Sequence, residues 1–424
     1  MNRIILIGNG FDLAHDMKTT YQNFLDDYWG NLIEDLKRVQ SGRNYEDEEI
    51  KIKSVPSHLL SGSSYKDLNQ TLESYKSNIE FKNNFLREIT DRSHLENWVD
   101  VENEYYLLLK QAFKSNEKIR SQYNNKIQDL NEDFGRIKEL LQDYLKRQEQ
   151  VFDTEFKRKS HRIENVIGHK IYSEFEMRDF SEESINRKAE VEYNWIKKDL
   201  ESIDNGFVAI QELDEKKQRL INRIDKKKPL NAIKSLLKND IASNYFDLSP
   251  SKILFLNFNY TFTDSLYHNY QKFDSFNRNP PRPEFLHIHG SIDPNDKNPM
   301  IFGFGDELDE DYKEIEKLND NRYLENIKSI NYLGTDNYRN LLNFINSENY
   351  QVFIFGHSCG TSDRTLLNTL FEHDNCASIK IFFHQKSDVL DNYRDLIQNI
   401  SRNFNDKAKM RDRVVNKTYC DPLS

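Results

Sequence analysis

Helix-breaking residues are scarce in this chain: 9 prolines and 14 glycines are spread over 424 positions, and no proline falls between Pro56 and Pro229. That excludes a glycine-repeat fibre and a proline-rich linker array. Cysteine is scarcer still. Cys359, Cys376 and Cys420 are too few for a disulfide scaffold and form no CxxC pair for zinc, so a reducing cytoplasm is the expected setting. Long apolar runs are missing as well. The stretch Ile4 to Ile7 ends at once in Gly-Asn-Gly, far short of a signal-peptide core or the roughly 20 apolar residues of a membrane span. Positive charge is in deficit, with 60 Lys and Arg against 70 Asp and Glu and a net charge of -10. A protein whose main work is gripping nucleic-acid backbones needs the reverse. Small anionic ligands remain open to it, because a few backbone amides can hold them.

What is present is enough apolar material for more than one core, 37% hydrophobic with 12% aromatic. The segment from Glu117 to Lys228 is dense in Lys, Arg, Glu and Gln, a helix-forming composition. Within it Tyr123, Ile127, Leu130, Phe134, Ile137, Leu141 and Tyr144 recur at alternating spacings of four and three, a seam of about three heptads. Packing within a helical bundle is the expected use of the seam, with self-association into a homo-oligomer as the alternative.

The end of the chain reads differently. Short β-rich runs, Ile253 to Phe258, Phe285 to Ile288, Met300 to Phe302, Val352 to Phe355 and Ile379 to Phe383, are bounded by turn residues, and Ile4 to Ile7 is of the same kind. Their continuous apolar character suits parallel strands covered on both faces. The expected fold is α/β, a Rossmann-like, mostly parallel sheet with a large inserted α-helical domain. Residues 1–30 supply the first strand and helix, 31–250 the helical insertion, 251–400 the rest of the α/β domain, and 401–424 a C-terminal tail.

In such sheets ligands bind beyond the carboxyl ends of the strands. There stand Gly8-Asn9-Gly10-Phe11-Asp12, then Asn259-Tyr260-Thr261, then His287-Ile288-His289-Gly290, then Gly356-His357-Ser358 with Asp363 beyond. Seven of the fourteen glycines lie in or beside these segments, which points to a cleft. Gly8 and Gly10 permit close backbone approach, and a helix starting near Phe11 can offer its positive end to a phosphate. The third glycine of the dinucleotide fingerprint is absent, and two residues after Gly10 stands Asp12. Asp12 serves equally as a residue favoured by the helix dipole or as a ligand contact. Asn257 is expected to satisfy backbone groups and Asn259 to face the cleft, while Thr261 either meets ligand or caps the following helix. His287 and His289 share one strand face, a spacing open to a metal pair, a structural role or acid–base work.

The run Ile4 to His15 with Thr20-Tyr21 and Phe24-Leu25, then Asn97-Trp98 with Asp100 and Glu102, Phe258-Asn259-Tyr260-Thr261, Ile288-His289-Gly290, and Phe355-Gly356-His357-Ser358 leading to Asp363 resemble the bacteriophage abortive infection AbiH family. That family is distantly similar to SIR2-like domains, which bind NAD. The resemblance implies an antiphage effector whose Gly8, Asn9, Gly10, Phe11, Asp12, Thr261, Gly356, His357, Ser358 and Asp363 hold a nucleotide. Asn259 and His289 would then cleave the nicotinamide N-glycosidic bond of NAD, with no metal. Asn9, Asp12 and Thr261 depart from the SIR2-like pattern. Two further classes compete: a nucleotide sensor without turnover that signals through the helices, and a metal-dependent nuclease using Asp12, Asp100, Glu102 and His289. The expected partners are a nucleotide, a phage-derived trigger and a second copy of the chain.

Overall fold

The structure, a computed structural model, describes residues 1–96, 100–114, 127–156, 161–225, 227–273, 281–293, 297–387 and 389–424. Its centre is a five-stranded sheet of β1 (Asn2–Ile7), β5 (Ile253–Asn257), β6 (Glu284–His287), β7 (Tyr350–Phe355) and β8 (Cys376–Phe382), in the order β6-β5-β1-β7-β8. All four pairings are parallel. Every residue of β1, β5 and β7 is buried, as their unbroken apolar runs require of strands covered on both faces.

A smaller antiparallel sheet joins β2 (Tyr45–Glu46), β3 (Ile50–Ile52) and β4 (Ile79–Phe81) within residues 31–250, the stretch expected as a helical insertion. Ile50 and Ile52 point inward on either side of a half-exposed Lys51, a period-two pattern too short to stand out from the charged residues around it. The run Met300 to Phe302, expected as a strand, is instead extended loop. Its Met300 and Phe302 side chains are buried in the core around α6, and the pairing on either side of it is limited to single bridges, Pro299 with Ser291 and Phe304 with Ile327.

Between β1 and β5 the described helices are α1 (Asn9–Ala14), α2 (Tyr21–Arg38), α3 (Tyr65–Ser74), α4 (Asn84–Glu96), α5 (Val101–Lys114), α6 (Ile127–Val151), α7 (His161–Ile171), α8 (Glu182–Asp204), α9 (Glu215–Arg223) and α10 (Pro229–Leu237). After β6 come α11 (Glu310–Glu316), α12 (Lys328–Asn331), α13 (Asn337–Ser347), α14 (Arg364–Glu372), α15 (Tyr393–Arg402) and α16 (Lys407–Arg413). One face of the sheet, with Ile4, Leu6, Leu256 and Ile354, packs on Leu341 and Ile345 of α13, Leu367 and Leu370 of α14 and Ile400 of α15. The other, with Ile5, Ile7, Phe255 and Phe353, packs on Ile167 and Ile171 of α7. Each such side chain removed from water contributes about 1.5–3 kcal/mol before entropy is counted.

The helical seam faces inward. Leu130, Phe134, Ile137, Leu141 and Tyr144 of α6 are buried with Tyr260, Met300, Phe302 and Phe304 in one core, and Phe134 stacks on Phe302 with centroids 4.6 Å apart. Tyr123 lies outside the described residues. Arg3, fully buried in β1, donates to the carbonyls of Ile171 and Ser173 and lies between the rings of Phe175 and Phe353, tying the end of α7 to the sheet. The last residues are also folded onto the sheet, through bridges from Val414 to Ile379 and from Pro422 to Phe383 of the segment that continues β8. No helix among the described residues is long and apolar enough to cross a membrane.

Candidate active site

The sheet order reverses between β1 and β7, because the chain runs outward through β5 and β6 and then returns to the other side of β1. At such a switch point the loops leaving two neighbouring strands diverge and leave a crevice. The two loops here are Gly8 to Gly10 and Gly356 to Ser358, and they touch. The amide of Gly8 donates to the carbonyl of Phe355 at 3.2 Å, and that of Gly10 to the carbonyl of Gly356 at 2.8 Å. Phe11 donates to the carbonyl of Gly8. Amides expected to face a phosphate thus have carbonyl partners, and the glycines are required by the contact between loops. A Cβ on Gly356, whose φ is 74°, would stand 2.1 Å from the nitrogen of Phe11.

Asp12 neither caps α1 nor faces solvent. Buried in that helix, it accepts from the hydroxyls of Thr261 at 2.6 Å and Thr263 at 2.5 Å, so it clips the loop after β5 to the first turn of the chain. Burial pushes its carboxyl up to about 6, against the pull of hydrogen bonds from Thr261, Thr263 and Asn259. Asn257 has the backbone-satisfying position expected of it, accepting from the amide of Asn259 and donating to the carbonyl of Thr261. Asn259 donates to the carbonyl of Gly8 at 3.1 Å. Asn9 and Ser358 are exposed; Asn9 accepts from Thr19 and Ser358 lends its carbonyl to Asn399.

The dense chemistry lies one layer deeper. Asp363, in the short turn before α14, takes Lys328 Nζ at 2.8 Å and His289 Nε2 at 3.1 Å on one oxygen, with His357 Nε2 3.5 Å from the other. Lys328, at the start of α12 and fully buried, also reaches Glu102 of α5 at 2.8 Å. Glu102 in turn accepts from the Tyr260 hydroxyl, and the Tyr332 hydroxyl lies 3.1 Å from His289 Nε2. His357 accepts the Cys359 amide on Nδ1, which puts its proton on Nε2, toward Asp363.

Burial alone would neutralise Asp363, yet Lys328 and His289 hold it well below the carboxylate range. Burial alone would likewise discharge Lys328, and its two carboxylates hold it charged. Lys328 and Asp363 are therefore the ion pair, and Glu102 is the carboxylate that takes up a proton. Burial, opposed by Lys328 and reinforced by Asp363 and Asp100, raises it to about 7. Burial and the Lys328 cation together lower His289 to about 4, so its imidazole is neutral at pH 7. Removing one partner from such a buried pair costs about 3–5 kcal/mol.

The match to the model of one family, Bacteriophage abortive infection AbiH, runs over residues 4–385. This chain belongs to the AbiH family. A comparison with curated proteins finds no match, and a comparison with solved structures finds none. The matched span of this AbiH chain takes in both glycine loops, Asn259, His289 and Asp363.

Sequence reasoning named His289, His357 and Asp363, and the fold brings them together. It named Glu102 among the family matches and in the metal-dependent alternative, and it missed Lys328 and Tyr332, for which no local pattern gave a signal. Asp100 caps α5 through the amide of Asn103, and Asn97 and Trp98 lie outside the described residues. His287 belongs to a separate cluster, 3.3 Å from Asp264, which His268 also approaches. Hydrogen bonds hold Asp264 down at about 2 despite its burial, those from His268 first. Asp12, on its threonines, does not join Glu102 and His289, so the four residues considered for a metal nuclease are divided between two clusters. Among the described residues no group of three or more His, Cys, Asp or Glu side chains is set to hold a metal ion.

Proposed function

We propose that this AbiH protein is an abortive-infection effector that consumes a nucleotide at the switch point of its sheet, with NAD as the first candidate substrate. The single observation that carries the reading is the buried His289–Asp363 pair beside the glycine loops. A neutral imidazole whose Nε2 lies 3.1 Å from both the Asp363 carboxylate and the Tyr332 hydroxyl, with its proton on that nitrogen, keeps its lone pair on Nδ1, the arrangement of an oriented general base. Acting on a ribose hydroxyl, it would stabilise the oxocarbenium-like state through which an N-glycosidic bond breaks. Nicotinamide is already cationic in NAD and leaves without a general acid. Asn259, on the Gly8 carbonyl, is positioned to orient the ribose and an attacking water. The amides of Gly8 and Gly10 are free for a pyrophosphate only once the two loops part, so turnover requires an opening step.

The test is nicotinamide release by purified protein, alone and with infected-cell lysate, for the wild type and for His289→Ala and Asn259→Ala. Loss of 10²-fold or more in both variants is expected on the scale of acid–base catalysis. Undiminished NAD in wild-type reactions, with the variants still failing to protect cells from phage, would sink the NAD chemistry.

The closed contact between the loops favours a second reading, a sensor that binds a nucleotide without turnover. It requires a stoichiometric ligand that survives incubation and raises the melting temperature.

A further inference from the structure

Lys328 is a fully buried cation that joins three separate stretches of chain: α5 through Glu102, its own helix α12, and the turn before α14 through Asp363. Asp363 in turn faces both His289 and His357. A flexible carboxylate between two imidazoles has several arrangements open to it. One in which an oxygen is fixed by an ammonium at 2.8 Å has few. We propose that Lys328 is a positioning residue for His289, acting through Asp363, with Glu102 as the anchor that holds the ammonium in place. The proposal rests on the reading of His289 as the base of the site.

Two consequences separate this role from plain structural support. Lys328 orients the carboxylate that sets the His289 tautomer, and as a neighbouring cation it opposes protonation of that imidazole. The groups facing His289 are Asp363, Lys328, His357 and Tyr332, with Tyr260 and Glu102 behind them. Among these only Lys328 is a fixed cation. Its removal leaves the imidazole beside an uncompensated Asp363, which favours the protonated ring.

The experiment is an NMR titration of the ring nitrogens in the full chain, the His289 signal being assigned by its loss in His289→Ala. Wild type is compared with Lys328→Met and with the double variant Glu102→Gln, Lys328→Met. The double change removes Glu102, one of the two carboxylates that the single variant leaves without their ammonium, and Asp363 keeps His289 and His357 beside it. The midpoint of His289 is expected to rise by about one pH unit in the double variant. The acid limb of any NAD-consuming activity should move by the same amount, with kcat falling more than KM rises. A folded double variant whose His289 midpoint is unmoved overturns the proposal. A raised midpoint in a protein that never consumes NAD supports the role of Lys328 and rejects the substrate reading alone.

Discussion

Gly8 and His357 lie so close that a Cβ built on Gly8 would stand 2.5 Å from the Cα of His357. The backbone of Gly8 is extended, with φ of -137°, so any residue type could adopt its conformation. What the position forbids is volume. Gly8→Ala must push the loop after β7 away from the loop after β1, and overpacking of this kind costs about 1–3 kcal/mol. A urea-unfolding comparison checks this. Wild-type stability in the alanine variant would mean that the two loops do not meet in solution.

Phe134 and Phe302 stack with nearly parallel planes, 4° apart, and so fasten the seam of α6 to the loop that follows β6. Phe134→Ala is expected to lower stability by about 3–5 kcal/mol, the range for deleting a buried ring. It should leave the sedimentation coefficient of the folded protein unchanged. A variant that melts like wild type but changes its association state would assign the seam to a contact between copies instead.

The runs Ile4 to Ile7, Ile253 to Phe258 and Val352 to Phe355 were legible as buried parallel strands because their signal is local, a few apolar residues ended by a turn. The glycine loops were legible for the same reason, although glycine served contact between loops as much as approach to a ligand. Lys328 was not legible. A lysine in a charged stretch looks solvated, and only the meeting of α5, α12 and the turn before α14 buries it between two carboxylates. Met300 to Phe302 misled for the converse reason: three apolar residues in a row fit a buried loop under helices as well as a strand. Asp12 was readable as polar and near a helix start, but its threonine partners lie some 250 residues away in the chain.

Asn257 and Asn259 should fail in different ways. Asn257 is fully buried and holds the Asn259 amide, the Thr261 carbonyl and Asp264. Its alanine variant strands those groups and should lose about 2–3 kcal/mol of stability. Asn259 makes a side-chain bond to the Gly8 carbonyl, and Asn259→Ala should lose only about 1 kcal/mol while abolishing phage protection. Unfolding midpoints measured beside plaquing efficiency separate the two. Equal stability loss with protection retained in Asn259→Ala would remove that residue from the site.

Asp12 gives the fold a pH dependence of unusual sign. Its carboxyl has an ordinary value of 3.8 and titrates at about 6 in the native state. Between those values the native protein binds more protons than the unfolded chain, so this group's contribution to stability falls as pH rises through that window. The displacement corresponds to on the order of 3 kcal/mol, present below about pH 4 and lost above about pH 6. His289 acts oppositely: its imidazole is lowered from 6.5 to about 4, so its contribution is present above pH 6.5 and lost on acidification. The sum of many groups hides both terms, and a difference between variants isolates one. In Asp12→Asn the asparagine oxygen can still accept from one threonine, and the titration is gone. The stability difference, wild type minus variant, should therefore grow by on the order of 3 kcal/mol between pH 7 and pH 4. Denaturant midpoints at pH 4, 5, 6 and 7 measure it. A difference that stays flat across the series would mean that Asp12 is ionised in the native protein throughout, and that the two threonine hydroxyls solvate its charge in full.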